Sequence, residues 1–274
     1  MGLTLADWPA GPAAARGRVV YDKYCVGCHG SSGMGDGTAS RWLNPAPRNF
    51  QSGNFKFRST ESGQLPTEAD LMHVITCGLA GSAMPGFPLV PEQERRDVAR
   101  YVMHLATLGL GQREVRYLME EEELSLDEIR AEHLEEIRAG AEKRVAAVKT
   151  IPIPVAPPIT AALIAQGKQV FDTQCAACHG ATGRGDGSSS YTLRDYKDDE
   201  IRPRDFTTGV FRAGSTPQDL YLRLRAGLSG TPMPAIPGSD EEIWAQVYYI
   251  LSLRDPDAQT TYVPQVCGGE DPQR

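Results

Sequence analysis

Two stretches of this 274-residue chain carry one pattern: CVGCHG at 25–30 and CAACHG at 175–180. The likeness runs beyond six residues. GRVVYDKYCVGCHG (17–30) aligns with GKQVFDTQCAACHG (167–180), GMGDG (33–37) with GRGDG (183–187), and PRNF (47–50) with PRDF (203–206). FR at 57–58 matches FR at 211–212, and DLMHVITCGLAGSAMP (70–85) matches DLYLRLRAGLSGTPMP (219–234). RYVMHLATL (100–108) shares its apolar spacing with YYILSL (248–253). Two copies indicate a tandem duplication, since a solenoid needs three or more repeats. The length suits two ordinary domains, each with its own core.

The copies are separated by sequence of another kind. Residues 112–148 are rich in Glu, Arg and Ala. Ser125 and Glu128 form a capping box, with Leu124 and Ile129 as the hydrophobic staple. Ile129, His133, Ile137, Ala141 and Val145 then make one narrow helical stripe, as expected of a helix on a domain surface. The run Glu120–Glu123 reads as a solvated face. IPIPVAPP (151–158) has four prolines and predicts a stiff, extended spacer. The division is 1–16 extension, 17–110 first domain, 111–150 charged helical insertion, 151–163 proline-rich linker, 164–255 second domain and 256–274 tail.

Hydrophobic content of 41% and charged content of 23% indicate a soluble globular chain. No apolar run reaches the length of a membrane span. MGLTLADWPAGPAAARG lacks the basic start and apolar core of a signal peptide, so a signal removed earlier or a longer precursor is expected. A net charge of −7 opposes nucleic-acid binding.

C-x-x-C-H is the attachment pattern of c-type haem. The thiols of Cys25 and Cys28, and of Cys175 and Cys178, would form thioethers with the vinyl groups of two haems. His29 and His179 would be proximal iron ligands. A redox C-x-x-C or a shared zinc site are the competing readings. Each copy also supplies a sixth ligand. Met84 follows His29 by 55 residues and Met233 follows His179 by 54, each with proline after it. Proline stiffens the loop that presents the thioether. Met34, Met72, Met103 and Met119 have no counterpart across the repeat and read as packing residues. His73, His104 and His133 are equally unmatched, with His73 the rival ligand at the first centre. Met/His ligation raises the potential and fills both axial positions, which points to one-electron transfer rather than haem catalysis.

Tyr21 and Tyr101, and Phe171 and Tyr249, are expected to pair between first and last helices of each domain. Arg48 and Arg204 are candidates to neutralise haem propionates. Carbonyls of Pro45, Pro47 and Pro203 are candidates to accept the proximal histidine Nδ1 proton. The glycine-rich GMGDG and GRGDG segments follow no strand and read as turns, not phosphate loops. Cys77 and Cys267 are left over. They would pair or remain thiols, depending on compartment.

These residues resemble class I cytochromes c, twice in tandem, over 17–108 and 167–253. The resemblance implies an all-α fold of two such domains joined by the insertion and linker. FKFRSTESGQLPTEADL (55–71) and IPIPVAPPIT look like dihaem c-type cytochromes of bacterial respiratory chains. That similarity implies two covalently attached haems c, a periplasmic or outward-facing location, and redox protein donors and acceptors that include membrane respiratory complexes. It implies no nucleic acid, no small-molecule substrate and no catalysis. A dihaem enzyme of the peroxidase or thiosulfate dehydrogenase type is the alternative. A sensor is a third reading, without a visible output domain.

Overall fold

A computed structural model of the chain describes residues 2–254. The described residues are helical, with two isolated β-bridges and no named strand. No described helix is long and apolar enough to cross a membrane. The chain divides into two compact units, and the division is not a simple cut in sequence. Residues 56–62 and 77–86, from the first repeat, belong with the described residues from Thr150 onward.

In the first unit, α1 (Pro12–Tyr24) starts with proline at its first position, where the missing N–H costs nothing. The single turn α2 (Val26–His29) follows, then α3 (Glu68–Cys77) and the 30-residue α4 (Glu92–Glu121). Gly17 lets α1 cross α4 closely: a Cβ there would stand 1.9 Å from the Asp97 carbonyl oxygen. Past the crossing, Tyr21 meets Tyr101 edge to face at 5.1 Å, as the repeat alignment indicated. Such a pair contributes about 1 kcal/mol beyond its buried area.

The charged insertion begins inside α4, which runs unbroken to Glu121. The capping box of Ser125 and Glu128 opens α5 (Leu126–Glu128). A π-helical turn, Ile129–His133, leads into α6 (Leu134–Ala146). The π turn, which holds more residues per turn than an α-helix, spans the first step of the stripe, Ile129 to His133, and α6 carries the rest. Ile129, Ile137 and Ala141 are buried in the first core together with Leu3, Trp8 and Val115. Met72, Met103 and Met119 pack against this core as expected, whereas Met34 is exposed.

The N-terminal extension is fastened to the insertion by Asp7. Its carboxylate accepts from Arg130 Nε at 3.0 Å and Nη2 at 3.1 Å, and from the Thr4 amide at 2.8 Å. The Arg130 hydrogen bonds first, then those of Thr4, hold the Asp7 pKa down at about 2. A depressed carboxylate contributes stability above its unfolded pKa and loses it as pH falls through the folded one. Asp7→Asn should therefore destabilise the chain by roughly 1 kcal/mol near neutral pH. The difference from wild type should vanish as pH falls from 3.8 to about 2. Denaturant unfolding across that range measures it, and a pH-independent difference would contradict this assignment.

In the second unit, α7 (Ala161–Gln174) is capped by Thr160 and leads into the turn α8 (Ala176–His179). Capping boxes start α9 (Pro217–Ala226) and α10 (Asp240–Ser252). Gly167 repeats the close crossing, with a Cβ placed 2.0 Å from the Ala245 carbonyl oxygen, and Phe171 meets Tyr249 at 5.1 Å. The proline-rich segment has no regular structure, but it is packed rather than loose. Ile151, Ile153 and Ala156 lie on the second core, and Tyr248 donates its hydroxyl to the Pro157 carbonyl at 2.9 Å. Thr60 and Thr150 form an antiparallel bridge, and the Ile151 amide donates to the Ser59 carbonyl at 2.8 Å.

Candidate functional site

Each C-x-x-C-H stretch wraps one helical turn onto the end of the helix before it. The Cys25 amide closes on Tyr21, and the His29 amide donates to the Cys25 carbonyl at 2.9 Å. Cys175 and His179 do the same at 2.8 Å. Both thiols of each pair thereby share one side of a turn, with histidine next to them. All four are free thiols. Burial, then the neighbouring Cys28, pushes Cys25 up to about 12, and burial with Cys178 pushes Cys175 up to about 11. A reactive redox dithiol has the opposite shift. Among the described residues, no cluster of His, Cys, Asp or Glu is placed to hold a bare metal ion.

The chain after the motif folds back onto it in both copies. Gly35 and Gly185 donate to the carbonyls of His29 and His179 at 2.8 Å. Their φ values are +77° and +75°, and a Cβ would stand 2.5 and 2.6 Å from the Pro47 and Pro203 carbonyl oxygens. The GxGDG segments are thus turns, and glycine is required by backbone contact. The Pro47 and Pro203 carbonyls that were candidates for the histidines face these glycines instead. His29 Nδ1 donates to the next carbonyl, that of Arg48, at 3.0 Å. With Nδ1 protonated, Nε2 keeps its lone pair for iron. At His179 burial lowers the pKa and the nearby Arg204 carbonyl opposes it, while Nδ1 is buried with no hydrogen-bond partner among the described residues.

The Pro-Arg-x-Phe segment has a second role. Phe50 stacks on the His29 ring at 4.4 Å and 19°, and Phe206 on His179 at 4.5 Å and 19°. Phe50 and Phe206 are themselves stacked on Phe55 and Phe211. The phenylalanines were visible as repeat matches, but nothing in the sequence told of their stacking.

The two methionine loops are built alike. The Leu79 amide donates to the Met84 carbonyl and the Leu228 amide to that of Met233, both at 3.0 Å. The Ser82 hydroxyl donates to the Leu79 carbonyl and accepts from the Met84 amide, and Thr231 does this for Leu228 and Met233. Met233, like Cys175, packs against the core that includes Phe206. Met84 belongs to the loop 77–86 and so to the second unit, while Cys25, Cys28 and His29 lie in the first.

Arg204 is joined by two arginines that were not singled out from sequence. Burial, and then Arg204, holds Arg212 down at about 10; burial does the same to Arg223, with Asp219 opposing and Arg204 adding to it. Arginine keeps its proton in proteins, so these depressions express buried positive charge with too little anion nearby. Arg212 Nε is buried without a hydrogen-bond partner among the described residues. A haem with two carboxylates suits this donor set, as it suits the paired thiols and the stacked histidines. Arg48 is half-buried in the matching segment of the first repeat. The two readings of Cys77 and Cys267, paired or left as thiols, lie outside the described residues, because Cys267 does.

A cytochrome c family profile matches residues 14–106 and again 164–254. A chain of the Kuenenia stuttgartiensis reducing HAO-like protein complex is 34% identical, with a TM-score of 0.71. The match covers 90% of this chain and 97% of that one. No curated protein matches the sequence.

Proposed function

This chain belongs to the cytochrome c family, and we propose that it passes single electrons between protein partners through two His/Met-ligated haems. Its two cytochrome c domains are all-α and serve haem-based electron transfer. The haems, when bound, supply the one-electron iron couple. Cys25, Cys28, Cys175 and Cys178 would hold them as thioethers, and His29 with Met84, and His179 with Met233, would supply the iron ligands. Arg204, Arg212 and Arg223 would meet the carboxylates of the second haem, and Arg48 those of the first.

One observation carries this reading. The same construction of turn, stacked histidine and closed Met-Pro loop occurs twice at matching positions. Rigid ligands on both sides of an iron suit electron exchange, which is fastest when little has to move. As cytochrome c domains we propose the two copies of the repeat, 17–110 and 164–255, although the compact units group 56–62 and 77–86 with the second copy. The similarity to a chain from a protein complex supports redox protein partners, either as a free carrier or as a subunit. Export across the cytoplasmic membrane accords with covalent haem attachment. A redox titration of the haem-loaded protein tests the reading: it should take up two electrons per chain, each with one-electron (n = 1) behaviour. Uptake of a single electron per chain, or turnover of peroxide or thiosulfate, would overturn it.

A further inference from the structure

Within the second unit, the Phe-Arg arginines of the two repeats cross over. Arg212 comes from the second repeat, and its Nη2 donates to the Gly81 carbonyl at 3.1 Å, in the middle of the Met84 loop. Arg204 backs the same spot, where a Cβ on Gly81 would stand 3.4 Å from its Nη1. Arg58 is the counterpart of Arg212 in the first repeat. It is 5% exposed, and its Nη2 donates to the Ala226 carbonyl at 2.7 Å. Ala226 ends α9, immediately before the loop that leads to Met233. Arg212 therefore reaches into the methionine loop of the other repeat, and Arg58, whose Nε stays on the Glu61 carbonyl of its own segment at 3.3 Å, reaches with Nη2 to the residue where the other methionine segment begins.

A positively charged donor on a buried carbonyl makes a stronger hydrogen bond than a neutral one. The loops it holds are short and closed by few bonds, so one such anchor weighs heavily on their opening. Arg212 also stands in the arginine cluster of the second centre, through its repulsion with Arg204.

We propose that Arg212 and Arg58 are reciprocal positioning residues, each fixing the methionine segment of the other repeat, so that iron ligation in one repeat depends on an arginine of its twin. The inference rests on the His/Met reading for its ligation half and on the two hydrogen bonds alone for its loop half. It goes beyond two independent carriers on one chain, because damage to one repeat's Phe-Arg pair is felt at the other repeat's iron.

The test uses the full haem-loaded protein with two readouts. Amide hydrogen exchange over 78–86 reports loop opening, and near-infrared magnetic circular dichroism reports the methionine–iron(III) band. In a Met233→Ala background the remaining band belongs to Met84. There R212Q should raise exchange in 78–86 on the order of tenfold and weaken the Met84 band. R212K, which keeps the charge and one donor, should recover part of both. R58Q in a Met84→Ala background should weaken the Met233 band in the same way. If R212Q does not fold, R212K must still show the rise on a smaller scale. Unchanged exchange and an unchanged band in R212Q, or in R212K where R212Q does not fold, would overturn the proposal. So would general destabilisation with the band intact, which marks a merely structural role. If Met84→Ala itself leaves the spectrum unchanged, the ligation reading fails, and exchange alone decides whether Arg212 holds the loop.

Discussion

Met233→Ala should lower the potential of the second centre by on the order of 100 mV, leaving the protein folded. The thioether is a soft ligand that favours the reduced iron, and alanine offers nothing in its place. The loop itself should survive, because it is closed by backbone and Thr231 bonds that do not use the methionine side chain. Met84→Ala should do the same at the first centre, where Ser82 closes the loop. Redox titration with both centres resolved checks this. A potential unchanged in either variant would remove that methionine from the ligand set.

Gly167→Ala should destabilise the second unit by about 3 kcal/mol or more, a large effect for one methyl group. The added carbon would stand 2.0 Å from the Ala245 carbonyl oxygen and 2.5 Å from its carbon. Those atoms are backbone in α10, so no side-chain rotation relieves the overlap. The helices must separate, and the contact of Phe171 with Tyr249 loosens with them. Gly140 in α6 is the internal control, since a Cβ there meets nothing within 4 Å. Gly140→Ala should stabilise the chain by roughly 0.5–1 kcal/mol through helix propensity alone. Denaturant unfolding of the three proteins measures the contrast. Equal effects at the two glycines would contradict the close crossing.

Much of this architecture was legible because the sequence repeats. Tyr21 with Tyr101, and Phe171 with Tyr249, were readable as pairs, since each partner is aromatic in both copies. The capping box at Ser125 was readable because its bonds span three residues of one chain segment. What escaped depends on contacts that no local pattern encodes. Which carbonyl faces His29 is decided by the turn at Gly35, which packs closely against the Pro47 carbonyl and leaves that of Arg48 to the ring. The stacking of Phe50 on His29 needs that same fold-back. The gathering of 56–62 and 77–86 into the second unit is more distant still. It rests on hydrogen bonds such as Arg58 to Ala226, 168 positions apart, and the repeat alignment treats each copy as closed on itself. Arg212 and Arg223 were hidden for a similar reason, since an arginine's burial depends on what the rest of the chain lays over it.

The central claim is that both irons are held by histidine and methionine. Near-infrared magnetic circular dichroism of the fully oxidised, haem-loaded protein tests it most directly. Two equivalents of the methionine–iron(III) band and no high-spin iron are the expected result. One equivalent, or a high-spin signal at rest, would contradict it and make the centre without methionine a place where chemistry other than electron transfer is done.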